Sequence, residues 1–500
     1  MALALVLFGA TVSYLAAFPL AYHSPDEPHM LHEAKRVLAG EVMYRDVFDL
    51  TTPGWQYLMA ALFWLFGTTL RTARMATAVM HGLTTVLVSI ACRRLGVRRP
   101  LAWAAGLAYL VVAQPALPVA SYHWLGTSLS VLLLVMCIEM RGRAGWIFAA
   151  GVVVGLLVAV HQQRGLSLGV GVALIVAADA WLSRRAGASR GWAPLVCQVM
   201  ILVAGTLLVV VPVGLVLVTR AGIEPVWHAV VVFPLFNYRA ANRIRWGGWL
   251  FGTPPATIFP RLLTYAPAVL VPSVGFLVAR WRRAGDVGSL RLAIVLTSFA
   301  VFSILSIAYY PDLIHIALIV PVFLVVLAGG LEWTLSALPE RLDRLVGWTA
   351  SVAIAVACAW QLDRNLPRPA TWFVSTYDSA FGPIQMNGRT AQLYGQLDAL
   401  LQHVPSRTFF RYPFSQETYL ILGAHNPTRF EFILSRYHSR EHKEEVIAAL
   451  RAADVPYVMV DQALLTADDP IYRFIQEHYE PLTDADALTG VVWRRKAPGG

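Results

Sequence analysis

Long apolar stretches separated by short polar segments make up the first 363 residues of the chain. A helix needs about 20 predominantly apolar residues to cross a bilayer. Stretches near this length predict about eleven membrane-spanning helices, at residues 2–20, 75–92, 100–118, 125–140, 144–161, 166–182, 193–219, 259–279, 292–309, 315–335 and 347–363. Residues 53–66 are shorter and rich in aromatic side chains, which predicts a helix on the membrane surface with Trp55 and Trp64 as interfacial anchors.

The pattern becomes polar at residues 363–369. Helical spacing predicts two helices beyond this point, and alternating apolar residues predict three strands. The predicted helices are 388–403 and 440–453, and the predicted strands are 408–412, 456–461 and 488–494. The chain therefore predicts an α-helical polytopic membrane domain, residues 1–363, followed by a soluble α/β domain, residues 364–500.

Composition supports the membrane interpretation. The chain is 57% hydrophobic and 14% charged, whereas soluble domains are about 25% charged, so a disordered chain and most soluble enzymes are excluded. The net charge is +10, and its excess lies among the apolar stretches, which favours a role in membrane orientation over nucleic-acid binding. The four cysteines all lie in or beside apolar stretches, which disfavours a disulfide framework or a cysteine zinc site.

Arginine positions predict the orientation. If residues 53–66 do not cross the membrane, most short arginine-rich loops lie on one side, which the positive-inside rule makes cytoplasmic. We expect a multi-pass protein of the plasma (inner) membrane with a cytoplasmic N-terminus. The loop 21–74, with its juxtamembrane helices, and the C-terminal domain are then periplasmic or extracellular.

The sharpest chemical motif is Ser24-Pro25-Asp26-Glu27, directly after the first predicted span. Carboxylates held at the membrane surface are partly desolvated, which raises their pKa and suits a general base. Asp26 and Glu27 are therefore the candidate catalytic residues. The alternative is that Asp26 only caps the helix that runs to about Leu38.

Other polar residues in the predicted outer loops are candidates for substrate binding: Tyr44, Asp46, His123, Asp312 and His315. Aromatic and acidic side chains can stack on and bind sugar hydroxyls, although Asp312 could equally be a helix cap for the segment that contains His315. A second set consists of arginines that could bind a lipid phosphate in bidentate fashion: Arg164, Arg239, Arg243 and Arg245. Ordinary lipid headgroups are the alternative partner.

Metal binding stays open at this level. Asp26 with Asp46 or His29 could hold a divalent cation, but oxygen ligands alone do not distinguish a cation site from a general base. His438 and His442 have metal-compatible spacing, yet their polar surroundings predict surface histidines at the start of a solvated helix.

These motifs resemble the C-type (GT-C) polytopic glycosyltransferases, including bacterial relatives of protein O-mannosyltransferases and of the aminoarabinose transferase that modifies lipid A. The resemblance rests on the Asp26-Glu27 pair after the first span, the long outer loop, the stretch from Pro53 to Gly67 and the late segment 311–315. The chain differs from these proteins at Thr52-Pro53, where they often have two prolines. It also lacks their nearby lysine and the Trp-Trp-Asp signature of oligosaccharyltransferases.

The resemblance implies transfer of a sugar from a polyprenyl-phosphate donor, usually with inversion, to a glycan, lipid or protein acceptor on the outer face. It implies that Asp26 deprotonates the acceptor hydroxyl, that Glu27 shapes the site, and that the arginines and histidines stabilise the leaving phosphate. No nucleotide cofactor is expected. Two alternatives remain, a transporter or flippase of a lipid-linked sugar and a non-catalytic envelope assembly protein. A transporter would favour charges at mid-membrane, where His81 is the chief candidate.

Overall fold

The computed structural model describes residues 2–22, 24, 26–187, 191–238, 244–248, 260–366, 375–414, 416–434, 438–461, 465, 468–483 and 486–497. Its helices up to residue 366 are α1 (Ala2–Ala16), α2 (Asp26–Leu38), α3 (Gly54–Phe66), α4 (Leu70–Arg94), α5 (Arg99–Val112), α6 (Tyr122–Met140), α7 (Ala144–Val160), α8 (Gln162–Arg185), α9 (Ala193–Ala221), α10 (Ile223–Trp227), α11 (Pro260–Tyr265), α12 (Leu270–Ala284), α13 (Val287–Ser306), α14 (Leu313–Leu335) and α15 (Glu340–Asn365). A π-helix, His228–Tyr238, follows α10, and 3₁₀ turns lie at Gln114–Ala116 and Ala266–Val269.

Each predicted span coincides with a helix. Among the described residues, eight helices are long and apolar enough to cross a membrane: α4, α6, α8, α9, α13, α14, α15 and the segment Leu263–Ala284 that includes α12. The apolar helices α1 and α7 are shorter. Helix α5 ends at Val112, before the proline-containing turn Gln114–Ala116. The chain is a multi-pass membrane protein in which α14 is the most buried of the eight helices.

The segment predicted to lie on the membrane surface forms the helix α3, and its two tryptophans differ in exposure. Trp55 is fully buried, whereas Trp64 near the other end of the helix is 75% exposed. The prediction that Trp55 is an interfacial anchor is therefore wrong, because the α3 face that carries it packs against Met30 and Leu31 of α2. Trp64 keeps the exposure that an anchor needs.

Ion pairs join the ends of helices that the orientation argument placed on one side. Arg98, before α5, pairs with Glu332 near the end of α14 at 2.8 Å and with Asp343 at the start of α15. Arg291 of α13 pairs with Asp179 of α8 at 2.7 Å. We call this the Arg98 end of the bundle, and the opposite end, where α2 lies, the Asp26 end.

The C-terminal region is the α/β unit that the pattern predicts. It contains the hairpin β1 (Ser375–Ser379) and β2 (Gly382–Met386) and a sheet of order β3-β4-β6-β5. The sheet strands are β3 (Phe410–Tyr412), β4 (Tyr457–Val460), β5 (Tyr479–Pro481) and β6 (Val492–Arg495), and the helices are α16 (Gly388–Leu401), α17 (Glu417–Leu422), α18 (Arg440–Ala452) and α19 (Pro470–His478). Strand β3 runs parallel to β4, and β6 is antiparallel to both β4 and β5.

The C-terminal region packs closely on the Asp26 end. One buried cluster joins Leu31 and Trp55 to Phe381 and Leu420. A second cluster joins the loop after α2 to the sheet and α18. The backbone amide of Gln385 in β2 also donates to the carbonyl of Leu20, at 2.7 Å. The described part of the C-terminal region therefore shares its core with the loop 21–74.

His438 and His442 lie beside the second of these buried clusters. Both are buried, and their rings contact Phe430 and Phe48, the latter from the loop after α2. The prediction of surface histidines was wrong, because at the start of α18 both rings pack against Phe48 and Phe430.

Glycines let α7 and α9 approach closely. A Cβ built on Gly151 would lie 2.2 Å from the carbonyl oxygen of Leu202, whereas one on Gly145, near the start of α7, would meet nothing within 4 Å. We expect Gly151→Ala to destabilise the protein by about 1–3 kcal/mol through overpacking. The measurement is thermal unfolding in detergent, with Gly145→Ala as control. Equal melting temperatures for the two variants would contradict this packing.

Candidate functional site

Asp26 is the first residue of α2 and is half-buried. Among the described residues its side-chain hydrogen bond is to Ser24, whose hydroxyl lies 3.4 Å from Asp26 Oδ2 and accepts from the Asp26 amide at 3.3 Å. Burial raises the pKa of the Asp26 carboxyl, Asp312 raises it further, and His29 and His315 oppose the shift. A carboxylate with a raised pKa and few fixed hydrogen bonds can accept a proton from a ligand.

Glu27 is fixed by other groups. It is fully buried, pairs with Arg74 of α4, and accepts from the Ala120 amide at 2.8 Å. Arg74 also donates to the carbonyls of Pro118 and Ala21. Glu27 therefore joins α2 to α4 and to the segment before α6, and this bonding suits a residue that positions Asp26.

Three histidines from separate segments meet at the Asp26 end. The ring centroid of His123 lies 5.4 Å from that of His161 and 5.1 Å from that of His315. Tyr309 adds a hydroxyl 3.4 Å from His161 Nε2. The polar starts of α6, α8 and α14 thus converge, as the predicted topology requires.

Arg164 is the most unusual member of this group. It is 2% exposed, and its side-chain hydrogen bonds within the described part of the chain are to Thr127 Oγ1 at 3.1 Å and to the His123 carbonyl at 3.4 Å. Its Nε and Nη2 have no hydrogen-bond partner, and it forms no ion pair with a described acidic residue. A Cβ on Gly126 would lie 3.3 Å from its Nη1, so the glycine makes room for the guanidinium. A buried charge without a counter-ion is costly, which indicates that an anion is supplied from outside.

Asp312 acts as the N-cap of α14 and also orients His315. Its Oδ1 accepts from the His315 amide at 2.8 Å and lies 2.7 Å from the ring Nδ1. The capping alternative is therefore confirmed. It is compatible with a role in substrate binding, because a carboxylate bonded at Nδ1 leaves Nε2 of the ring available to a ligand.

Tyr44 and Asp46 are used within their own loop. The Tyr44 hydroxyl is buried and donates to the Thr51 carbonyl at 2.7 Å. Asp46 accepts from the Val42 amide at 2.8 Å and pairs with Arg45, and these contacts lower its pKa, the Arg45 hydrogen bond most strongly. The structure does not bring either residue into contact with the histidine group, so these contacts do not support substrate binding.

The candidate phosphate-binding arginines are also separated. Arg239 and Arg243 lie outside the described residues. Arg245 is exposed, in a segment that pairs with the start of α14 through Gly248 and Leu313. Of the described arginines in this set, only Arg164 belongs to the histidine group.

A separate buried group lies further along α2. His29 Nε2 is 2.9 Å from Glu33 Oε1, and Gln56 of α3 donates to Glu33 and to Asp49 at 2.8 and 2.9 Å. Burial and then Asp49 raise the pKa of Glu33 to about 7. Burial lowers the pKa of His29, but the nearby acids outweigh it and raise the value to about 9.

The C-terminal region holds the opposite side of α2. Glu431 is buried, lies 2.6 Å from His32 Nδ1, and accepts from Arg36 at 2.7 Å. Burial opposes ionisation of Glu431, but His32 and Arg36 lower its pKa to about 2. Because Asp26 begins the same helix, this contact fixes the element that carries it.

Comparison with solved structures identifies the fold. ArnT from Cupriavidus metallidurans bound to undecaprenyl phosphate aligns with a TM-score of 0.53 at 14% identity, over 99% of this chain and 97% of ArnT. The Archaeoglobus fulgidus oligosaccharyltransferase in complex with Zn and sulfate aligns with a TM-score of 0.52 at 12% identity, over 98% of this chain and 73% of that one. The chain has the GT-C fold. No family model and no curated protein sequence matches it.

Within this GT-C fold, several contacts were not predicted. The pairing of Glu27 with Arg74 and the clamp by Glu431 join segments far apart in sequence, so no local pattern indicates them. His161 and Tyr309 lie next to predicted residues, and their position between two spans is the signal that could have placed them. Glu33 follows His29 at i, i+4, which puts both side chains on one helix face.

Arg164, which lacks a counter-ion among the described residues, can be compared with Arg74, which has one in Glu27. Replacing Arg164 by Met removes an uncompensated charge, so we expect no loss of thermal stability in the ligand-free protein. Replacing Arg74 by Met leaves Glu27 buried without its partner, which typically costs about 3–5 kcal/mol. Thermal unfolding in detergent measures both. A large loss of stability for Arg164→Met would contradict the view that this charge lacks a counter-ion.

Proposed function

We propose that the protein is a glycosyltransferase that moves a sugar from a polyprenyl-phosphate donor to an acceptor hydroxyl. The GT-C fold supports this proposal. The observation that carries it is the buried Arg164 with two nitrogens that lack a partner among the described residues, at the same end of the bundle as the half-buried Asp26. A phosphate supplies the anion that Arg164 lacks, and a carboxylate with a raised pKa supplies the base.

The donor phosphate binds at Arg164. A guanidinium forms two parallel hydrogen bonds to phosphate oxygens, and its Nε and Nη2 are the two atoms without partners. His123, His161 and His315 lie together at this end, and each imidazole can donate an N–H. These groups stabilise the charge that grows on the phosphate as the bond to the sugar breaks.

Asp26 acts on the acceptor. It takes the proton of the acceptor hydroxyl while that oxygen attacks the anomeric carbon, and the bond from this carbon to the phosphate oxygen breaks. The polyprenyl phosphate leaves with the electron pair, beside Arg164. Attack opposite the leaving group inverts the anomeric centre. Glu27 takes no proton in this scheme, since Arg74 and the Ala120 amide hold it, and it positions Asp26.

We also propose the orientation. Arginine-rich loops at the Arg98 end favour a cytoplasmic location for that end, which puts the Asp26 end and the C-terminal region on the outer side of the plasma membrane. Nucleotide sugars are absent there, which agrees with a lipid-linked donor. Acceptors on that side include glycans, lipids and protein hydroxyls.

Transport of a lipid-linked sugar is the alternative. It would favour unsatisfied charges at mid-membrane. His81 is satisfied by the Tyr109 hydroxyl at 2.6 Å, and Asp179 is paired with Arg291. The unpartnered groups described here lie instead at one end of the bundle, which favours chemistry over transport.

Asp26→Asn tests the base. We expect at least about 100-fold loss of kcat for sugar transfer with an unaltered melting temperature, because general-base catalysis contributes about 10²–10⁴-fold. The assay uses purified full-length protein with polyprenyl-phosphate mannose, glucose, arabinose and aminoarabinose as donors. Asp286→Asn, the same change at the other end of the bundle, is the control.

Two results would overturn this assignment. Unchanged turnover in Asp26→Asn would remove Asp26 from its role as base. Failure with every donor, together with movement of a lipid-linked sugar across reconstituted vesicles, would replace the transferase with a flippase.

Arg164→Met tests the phosphate site separately. We expect binding of undecaprenyl phosphate to weaken at least about tenfold, because a hydrogen bond to a charged group contributes about 1.5–3 kcal/mol. Arg45→Met removes an exposed arginine at the same end and serves as the control. Equal binding by Arg164→Met and wild type, measured by titration in detergent, would show that the phosphate binds elsewhere.

A further inference from the structure

The group formed by His29, Glu33 and Asp49 brings three potential ligand atoms together beneath α2. One nitrogen and one oxygen from each carboxylate lie within 4.8 Å of one another. The residues come from two segments, α2 and the loop before α3, so tertiary packing creates the group. Glu33 and Asp49 are buried, and His29 is nearly so, with a side chain 13% exposed.

The charges in this group do not balance. Two buried carboxylates face one histidine, and no described lysine or arginine pairs with either acid. The nearest arginine on the helix, Arg36, is already bound to Glu431 and Glu41. With His29 protonated and both carboxylates ionised, one negative charge would remain in a buried place.

Gln56 is a second, independent sign of a missing ligand. It is fully buried, its Nε2 lies against both carboxylates, and its Oε1 has no hydrogen-bond partner. Turning the amide over would present Oε1 to the centre of the group, where a cation held by the two carboxylates could bind it.

From this geometry we propose that His29, Glu33 and Asp49 bind a divalent transition-metal ion such as Zn²⁺, with Gln56 as a supporting ligand. Imidazole nitrogen with carboxylate oxygen suits zinc and its neighbours better than Mg²⁺ or Ca²⁺. Two ligands about 2.1 Å from one tetrahedral ion are about 3.4 Å apart, so modest side-chain rotation closes the group on an ion.

The ion would join α2, which carries the proposed base Asp26, to the loop before α3 and to α3 itself. His29 lies one helical turn after Asp26, Asp49 lies in the loop before α3, and Gln56 lies in the first turn of α3. With Gln56 as the fourth ligand the coordination of a tetrahedral ion is complete, as in structural zinc sites. The site requires neither the donor nor the acceptor, so metal binding and sugar transfer are measured separately and either can fail alone.

The test measures metal on the full-length protein in detergent. After removal of metal by chelator and dialysis, we expect one Zn²⁺ per chain to rebind, with a rise in melting temperature that EDTA reverses. Glu33→Gln and Asp49→Asn should each weaken zinc binding at least about tenfold, since even groups that only support metal ligands change affinity about 10–100-fold.

Asp46→Asn is the matched control, because it makes the same change three residues from Asp49 in a carboxylate outside the group. It should keep full zinc binding and the zinc-dependent rise in melting temperature. If an acidic variant unfolds, the rebinding and melting measurements on wild type still decide the question. No binding of Zn²⁺ or Mn²⁺ by wild type, or equal zinc binding by Asp49→Asn and Asp46→Asn, would overturn the proposal.

Discussion

The buried charge of Arg164, without a carboxylate partner among the described residues, is the physical constraint on which the proposed function depends. A guanidinium that is 2% exposed and lacks a carboxylate partner is unfavourable in the ligand-free protein. Other buried ionic groups at the same end are paired: Arg74 with Glu27, and Arg36 with Glu431. This exception is the basis for proposing that an anion binds at Arg164. The group at His29, Glu33 and Asp49 has the opposite imbalance, an excess of negative charge.

The rest of the fold holds these groups in place. Glu27 and Arg74 tie the start of α2 to α4, and Asp312 fixes the ring of His315. The C-terminal region clamps α2 from its other side through Glu431. This arrangement explains why a region without a chemical motif of its own packs so closely on the membrane part. It supports the helix that begins at Asp26.

Most of the helices could be predicted from the sequence, and so could the location of several candidate site residues at one end of the bundle. Bilayer thickness fixes the length of an apolar stretch that crosses the membrane, so the sequence predicts the spans. The positions of the arginine-rich loops predict that His123, Arg164 and His315 lie at one end of the bundle. Tyr44 and Asp46 could not be judged, because a loop's own hydrogen bonds depend on how it folds back. The burial of His438 and Trp55 was missed for a related reason, since partners distant in sequence decide which face of a helix is covered.

The most direct test of the central claim is an experimental structure of the protein in lipid nanodiscs with undecaprenyl phosphate. We predict that the phosphate lies within hydrogen-bond distance, about 3 Å, of the Arg164 guanidinium and beside His123 and His315. A phosphate bound elsewhere, for example at the exposed Arg245, with Arg164 still unpartnered, would contradict it.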